Sequence, residues 1–124
     1  MKRVLIIEGE EFWRRRFGMV LVEPKGVRII FAPSLEKARW QISRGPNIDI
    51  LVVDGAEGTL DFVQEIRRGF SGKIIICSSD ANVGDMFLEA GCDEYACKSH
   101  LSKLLAEKLW IESDAPILCS VVGA

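Results

Sequence analysis

Short β-branched runs alternate with longer segments of helical period from one end of the chain to the other, and this alternation constrains the fold more than any other feature. Val4 to Ile7 is the first apolar run, and it ends at Glu8. From Phe12 to Val22, the residues Trp13, Phe17, Val20 and Leu21 share one helical face until Pro24 and Gly26 stop the pattern. Val27 to Ala32 reads as the second strand, and Ser34 is placed to cap a helix that runs to Arg44 before Gly45-Pro46. Ile48 to Val53 is the third strand, and its unbroken apolar character suits a parallel sheet covered on both faces. A short helix over Leu60 to Arg68 follows, then a strand over Lys73 to Cys77 and a helical stripe of Val83, Met86, Phe87 and Ala90 that ends at Gly91. Glu94 to Cys97 is the faintest strand. Its neighbours support it, because Leu101, Leu104, Leu105 and Leu109 give a last helix to Ile111. Five β-α units without an internal repeat predict an open parallel sheet, with ligands at the carboxyl ends of its strands.

Those ends carry Glu8, Asp54, Ser78 and Lys98. An aspartate after a strand often only ties down a turn through nearby backbone N–H groups. Two carboxylates, a hydroxyl and an ammonium at one edge offer more. Adjacent carboxylates repel, and a hard cation relieves that repulsion, so the acids suit Mg2+ held by one or two carboxylates and water. In such a site Asp54 can attack a phosphoryl group to form an acyl phosphate, Ser78 can hydrogen-bond the product, and Lys98 can pair with its charge.

Composition narrows the classes. A chain of 124 residues that is 48% hydrophobic is enough for one domain with a sizeable core. Its 16 Lys and Arg against 18 Asp and Glu leave a net charge of -2, without the overall electrostatic footprint of a nucleic-acid or membrane-surface binder. Cys77, Cys92, Cys97 and Cys119 include no C-x-x-C pair, which predicts a reduced, cytoplasmic chain rather than a disulfide scaffold. A zinc site would need His100, the single histidine, together with irregularly spaced thiols. The amino-terminal apolar run is too short for a signal peptide or membrane span.

RVLIIEGEE with Arg14, ILVVD, IIICSS and EAGCDEYACKS resemble the response-regulator receiver domain of two-component signalling over about residues 2 to 111. The resemblance implies a flavodoxin-like α/β fold, a three-layer sandwich around a five-stranded parallel sheet of order 2-1-3-4-5, with Ile6, Val52, Val53, Ile75 and Ile76 deeply buried. It implies a phosphorelay module rather than an enzyme, served by a histidine kinase or phosphotransfer protein. Asp54 falls on the phosphoacceptor, Ser78 on the switch hydroxyl, Tyr95 on the switch aromatic and Lys98 on the phosphate-contacting lysine. Glu8 and Asp54, with Glu10 reaching back and the Ala56 carbonyl, would hold Mg2+.

The departures fall at the same place. Receivers carry two adjacent acids where this chain has Glu8-Gly9, so Mg2+ should bind weakly. The loop after Asp54, bounded by Gly55 and Gly58, is short, and Ser99 replaces the proline that usually follows the lysine through a cis bond. A non-proline cis bond costs roughly 2.5 to 4 kcal/mol, so Lys98-Ser99 is expected to be trans. The rival reading is a pseudo-receiver, a protein-interaction module that works without phosphorylation. A flavodoxin-like phosphate binder is disfavoured by the acids of Glu8 to Glu11, which repel phosphate, and a Walker nucleotide enzyme by the lack of a G-K-[ST] motif.

Residues 1–112 are expected to form the domain, and residues 113–124 an apolar tail or the start of a linker. The face bounded by the fourth predicted helix, the fifth strand and the fifth helix is expected to meet a partner, possible homodimers included. Met86, Phe87, Tyr95 and Leu104 are placed there, with core packing the plainer role for Phe87 and Leu104.

Overall fold

A computed structural model describes residues 2–9, 11, 15, 26–55, 60–78, 80–97, 100, 101 and 104. Its elements are β1 (Lys2–Ile7), β2 (Val27–Ala32), α1 (Leu35–Arg44), β3 (Ile50–Asp54), α2 (Leu60–Gly69), β4 (Lys73–Cys77), α3 (Ala81–Ala90) and β5 (Glu94–Ala96). Glu11 and Arg15 are helical and pair at 2.9 Å, which puts helical backbone one residue before the predicted start at Phe12. Its apolar face of Trp13, Phe17, Val20 and Leu21 lies outside the described residues, as do most of the last predicted helix and the tail at 113–124.

The strands form one parallel sheet in the order β2-β1-β3-β4-β5, as expected. Because side chains alternate along a strand, the sheet divides the core in two. Val4, Ile6, Ile50, Val52 and Ile75 pack with Leu101 on one face. Leu5, Ile7, Leu51, Val53, Ile74 and Ile76 meet Ala38 of α1, Phe62, Val63 and Ile66 of α2 and Phe87 of α3 on the other. This makes the α/β/α sandwich. All five residues expected to be deeply buried are at most 1% exposed, and each such aliphatic side chain contributes roughly 1.5 to 3 kcal/mol. Phe87 is core, and Leu104 packs against the first face.

Local chemistry sets the helix ends. The Ser34 hydroxyl accepts the Lys37 N–H at 3.2 Å, and the Asp80 carboxylate accepts the Asn82 N–H at 2.9 Å. β3 starts two residues later than the sequence suggests. The reason is Asp49, whose N–H reaches the Arg3 carbonyl at 2.9 Å while its carboxylate accepts the Arg3 N–H at 2.8 Å, fixing the chain before pairing begins. β3 also extends through Asp54, which pairs with Cys77. β5 stops one residue short, at Ala96, because the Cys97 carbonyl turns to accept the His100 N–H at 2.9 Å.

The amino edge of the sheet is closed by similar ties. Asp93 accepts the Ile74 N–H at 2.8 Å and meets Arg67 at 3.1 Å, while Arg67 also donates to the Phe70 and Gly72 carbonyls, both at 2.6 Å. Beside Asp93, burial pushes the Cys92 thiol up to about 12, with the Asp93 charge adding to the shift and Arg67 opposing it. Among the described residues, no helix is long and apolar enough to cross a membrane.

Candidate functional site

Glu8 and Asp54 are the buried charged residues among those described, at 1% and 5% exposure. Their burial follows from sheet register. Ile7 lies opposite Val53, so each acid stands one residue beyond the same rung, on strands separated by about 4.8 Å. By alternation each continues its strand's Leu101 face, the face of Ile6 for Glu8 and of Val52 for Asp54. The Glu8 N–H is held by the Ala32 carbonyl at 3.0 Å, which carries β1 pairing past its last regular residue. Two carboxylates are thus delivered to one buried edge by neighbouring strands.

Ser78 completes this edge from β4. Its N–H donates to the Ala96 carbonyl of β5 at 2.9 Å, and its hydroxyl both accepts the Asp80 N–H at 3.1 Å and approaches the Asp80 carbonyl at 3.3 Å. The hydroxyl is therefore turned toward the start of α3. Tyr95 lies opposite Ile76, two positions earlier along β4 than Ser78, and is 36% exposed. Its ring rests on α3 at Gly84, where an added Cβ would stand 2.6 Å from ring carbons. Glu10, Ala56 and Lys98, the other predicted site residues, lie outside the described residues, and so does the Lys98-Ser99 peptide.

Gly55 and Gly84 contribute packing that was not expected of either. The Gly55 N–H donates to the Cys77 carbonyl at 2.8 Å, and a Cβ there would fall 2.9 Å from that oxygen and 3.4 Å from the Ser78 Cβ. Gly55 is a close-packed seam between the ends of β3 and β4. Both close approaches join residues distant in the chain, and no local pattern reveals them.

The donor set suits a hard divalent cation. Two adjacent carboxylates offer oxygen ligands alone, and Mg2+ ordinarily takes one or two of these with water and phosphate oxygens filling the rest. Among the described residues no group of three or more His, Cys, Asp or Glu is assembled for a metal.

No protein-family model and no curated protein matches the sequence. Solved structures do match the fold. A two-component response regulator from Clostridium difficile aligns with a TM-score of 0.75 and 22% identity over 90% of this chain and 96% of that one. The chain has a receiver fold. A response regulator receiver protein from Pseudoalteromonas atlantica aligns with a TM-score of 0.70 and 18% identity, over 88% of this chain and 94% of that one. A structure of the phosphorylated P1 domain of CheA3 in complex with CheY6 from R. sphaeroides aligns with a TM-score of 0.62 and 15% identity, over 89% and 95%. In this receiver fold Glu8, Asp54 and Ser78 occupy the carboxyl edge of the sheet, and Tyr95 lies on the last strand beside α3.

Proposed function

We propose that the chain is a phosphoacceptor module of a phosphorelay, with Asp54 as the residue that takes the phosphoryl group. The observation that carries this reading is the burial of Asp54 beside Glu8 at the carboxyl edge of a receiver-fold sheet. A carboxylate oxygen of Asp54 forms a bond to phosphorus as the bond to the donor's histidine nitrogen breaks, leaving an acyl phosphate on the protein. Bound Mg2+, held by Glu8 and Asp54 with Glu10 and the Ala56 carbonyl as further ligands, would neutralise the charge that collects there. Ser78 would leave Asp80 to donate its hydroxyl to the phosphoryl oxygens, and Lys98 would pair with their charge. Movement of Ser78 would be felt by Tyr95, and through it by the face of α3 and β5 where Met86 is 52% exposed.

A histidine kinase or phosphotransfer protein would supply the group, in keeping with the CheA3 phosphodomain complexed in a structural neighbour. The chain would act in the cytoplasm as a signalling protein rather than an enzyme, with no direct contact to nucleic acid, and could self-associate through the α3 and β5 face. Gly9, in place of a second acid, favours the second reading, a pseudo-receiver that binds partners without phosphorylation. Incubation with Mg2+ and a small acyl phosphate, followed by intact mass, separates the two. One acid-labile, hydroxylamine-sensitive phosphoryl group mapped to Asp54 supports the first; an unmodified protein supports the second.

A further inference from the structure

The described thiols lie in unlike surroundings. Cys77 and Cys92 are buried at 4% and 7% exposure, and burial holds the Cys92 thiol in its protonated form. Cys97 is half-buried at the end of β5, and its Sγ lies 2.7 Å from Nδ1 of the exposed His100. The backbone enforces this meeting. The His100 N–H donates to the Cys97 carbonyl at 2.9 Å, closing a turn that brings the imidazole back over the thiol three residues earlier. With Nδ1 unprotonated, the ring can accept the thiol proton and leave a thiolate, the form of cysteine that attacks electrophiles.

We propose that Cys97 and His100 form a thiol-modification site that exchanges with small disulfides. The Cys97 sulfur attacks one sulfur of the incoming disulfide, a new S–S bond forms as the old one breaks, and the other half departs as a thiolate. His100 Nδ1 takes the proton from Cys97 and can return it to the departing thiolate, so no external oxidant is needed. A thiol in excess reverses the reaction. A metal is the weaker occupant, since no third ligand joins the pair among the described residues. The site stands whether or not Asp54 accepts a phosphoryl group. It lies one residue beyond Ala96, whose carbonyl holds the Ser78 N–H, so an adduct would sit beside the carboxyl edge.

The test uses the full chain and a nitro-substituted aromatic disulfide whose released thiolate is coloured, with adducts located by peptide mass mapping. One fast phase mapped to Cys97 is expected, absent in Cys97→Ser and slowed about tenfold in His100→Gly. Free imidazole should restore part of the lost rate, a rescue that a packing role for His100 would not produce. Cooperative melting of each variant confirms that it is folded. A fast phase that leaves Cys97 unmodified, an unchanged Cys97 rate in His100→Gly, or a loss that imidazole does not restore would overturn the proposal.

Discussion

Both edges of the sheet carry aspartates, and they differ in what those aspartates do. At the amino edge Asp49 and Asp93 accept backbone N–H groups of Arg3 and Ile74 at 2.8 Å, and neither carboxylate is deeply buried. At the carboxyl edge Glu8 and Asp54 sit side by side in register, almost wholly removed from water. An acid that ties strands together improves the fold. Two acids buried as neighbours at the strand ends instead stand where a ligand arriving at that edge would meet both. The thiols follow the same division, with Cys92 sealed at the start of β5 and Cys97 accessible at its end.

The sharpest way to break this contrast is Asp54→Asn. It should abolish phosphoryl incorporation from a small acyl phosphate while leaving the melting temperature unchanged or higher, because one of two repelling charges is removed. Persistent labelling, or a large loss of stability, would place Asp54 among the structural aspartates.

At the amino edge, alkaline pH should have the next largest effect. Since Cys92 keeps its proton when the unfolded thiol has already lost it, the unfolded state binds fewer protons above pH 9.0. Stability from this group is complete below that pH and falls as pH rises toward about 12. The loss amounts to about 4 kcal/mol at most, and urea titrations across this window should show a shallower decline in Cys92→Ala. Asp93→Ala, which leaves the buried Ile74 N–H unpaired, should cost about 1 to 3 kcal/mol in the same titrations without affecting phosphoryl incorporation.

Two smaller changes probe the carboxyl edge. Gly9→Asp should tighten Mg2+ about tenfold by adding a carboxylate next to Glu8, as read by a binding titration. Gly55→Ala should cost about 1 kcal/mol by urea titration, because its Cβ must displace the Cys77 carbonyl or the Ser78 side chain.

Much of this was legible in the sequence because it rests on local signals. The apolar runs of β1, β3 and β4 locate the strands, and Ser34 marks the start of α1 through its own side chain. Asp54 was found because β3 delivers it directly, and Glu8 because it ends β1. What escaped reading depends on partners far along the chain. Asp49 delays β3 through Arg3, 46 residues away, and Gly55 matters only because β4 ends against it. The spacing of Cys97 and His100 was visible, but only the turn between them makes it a contact. β5 was faint because three paired residues carry little pattern of their own.

The seat of Tyr95 on Gly84 has a practical consequence for spectroscopy. The chain contains one tyrosine, so fluorotyrosine incorporation gives a single resonance assigned without mutagenesis. While the ring lies against the helix backbone at Gly84, that resonance reports a fixed, partly shielded environment. A ring that exchanges between this seat and another position gives two lines, or one broadened line when exchange is comparable to their separation. The last strand of the sheet therefore carries a built-in observer of its own rearrangement, readable in the intact protein and in the presence of any partner.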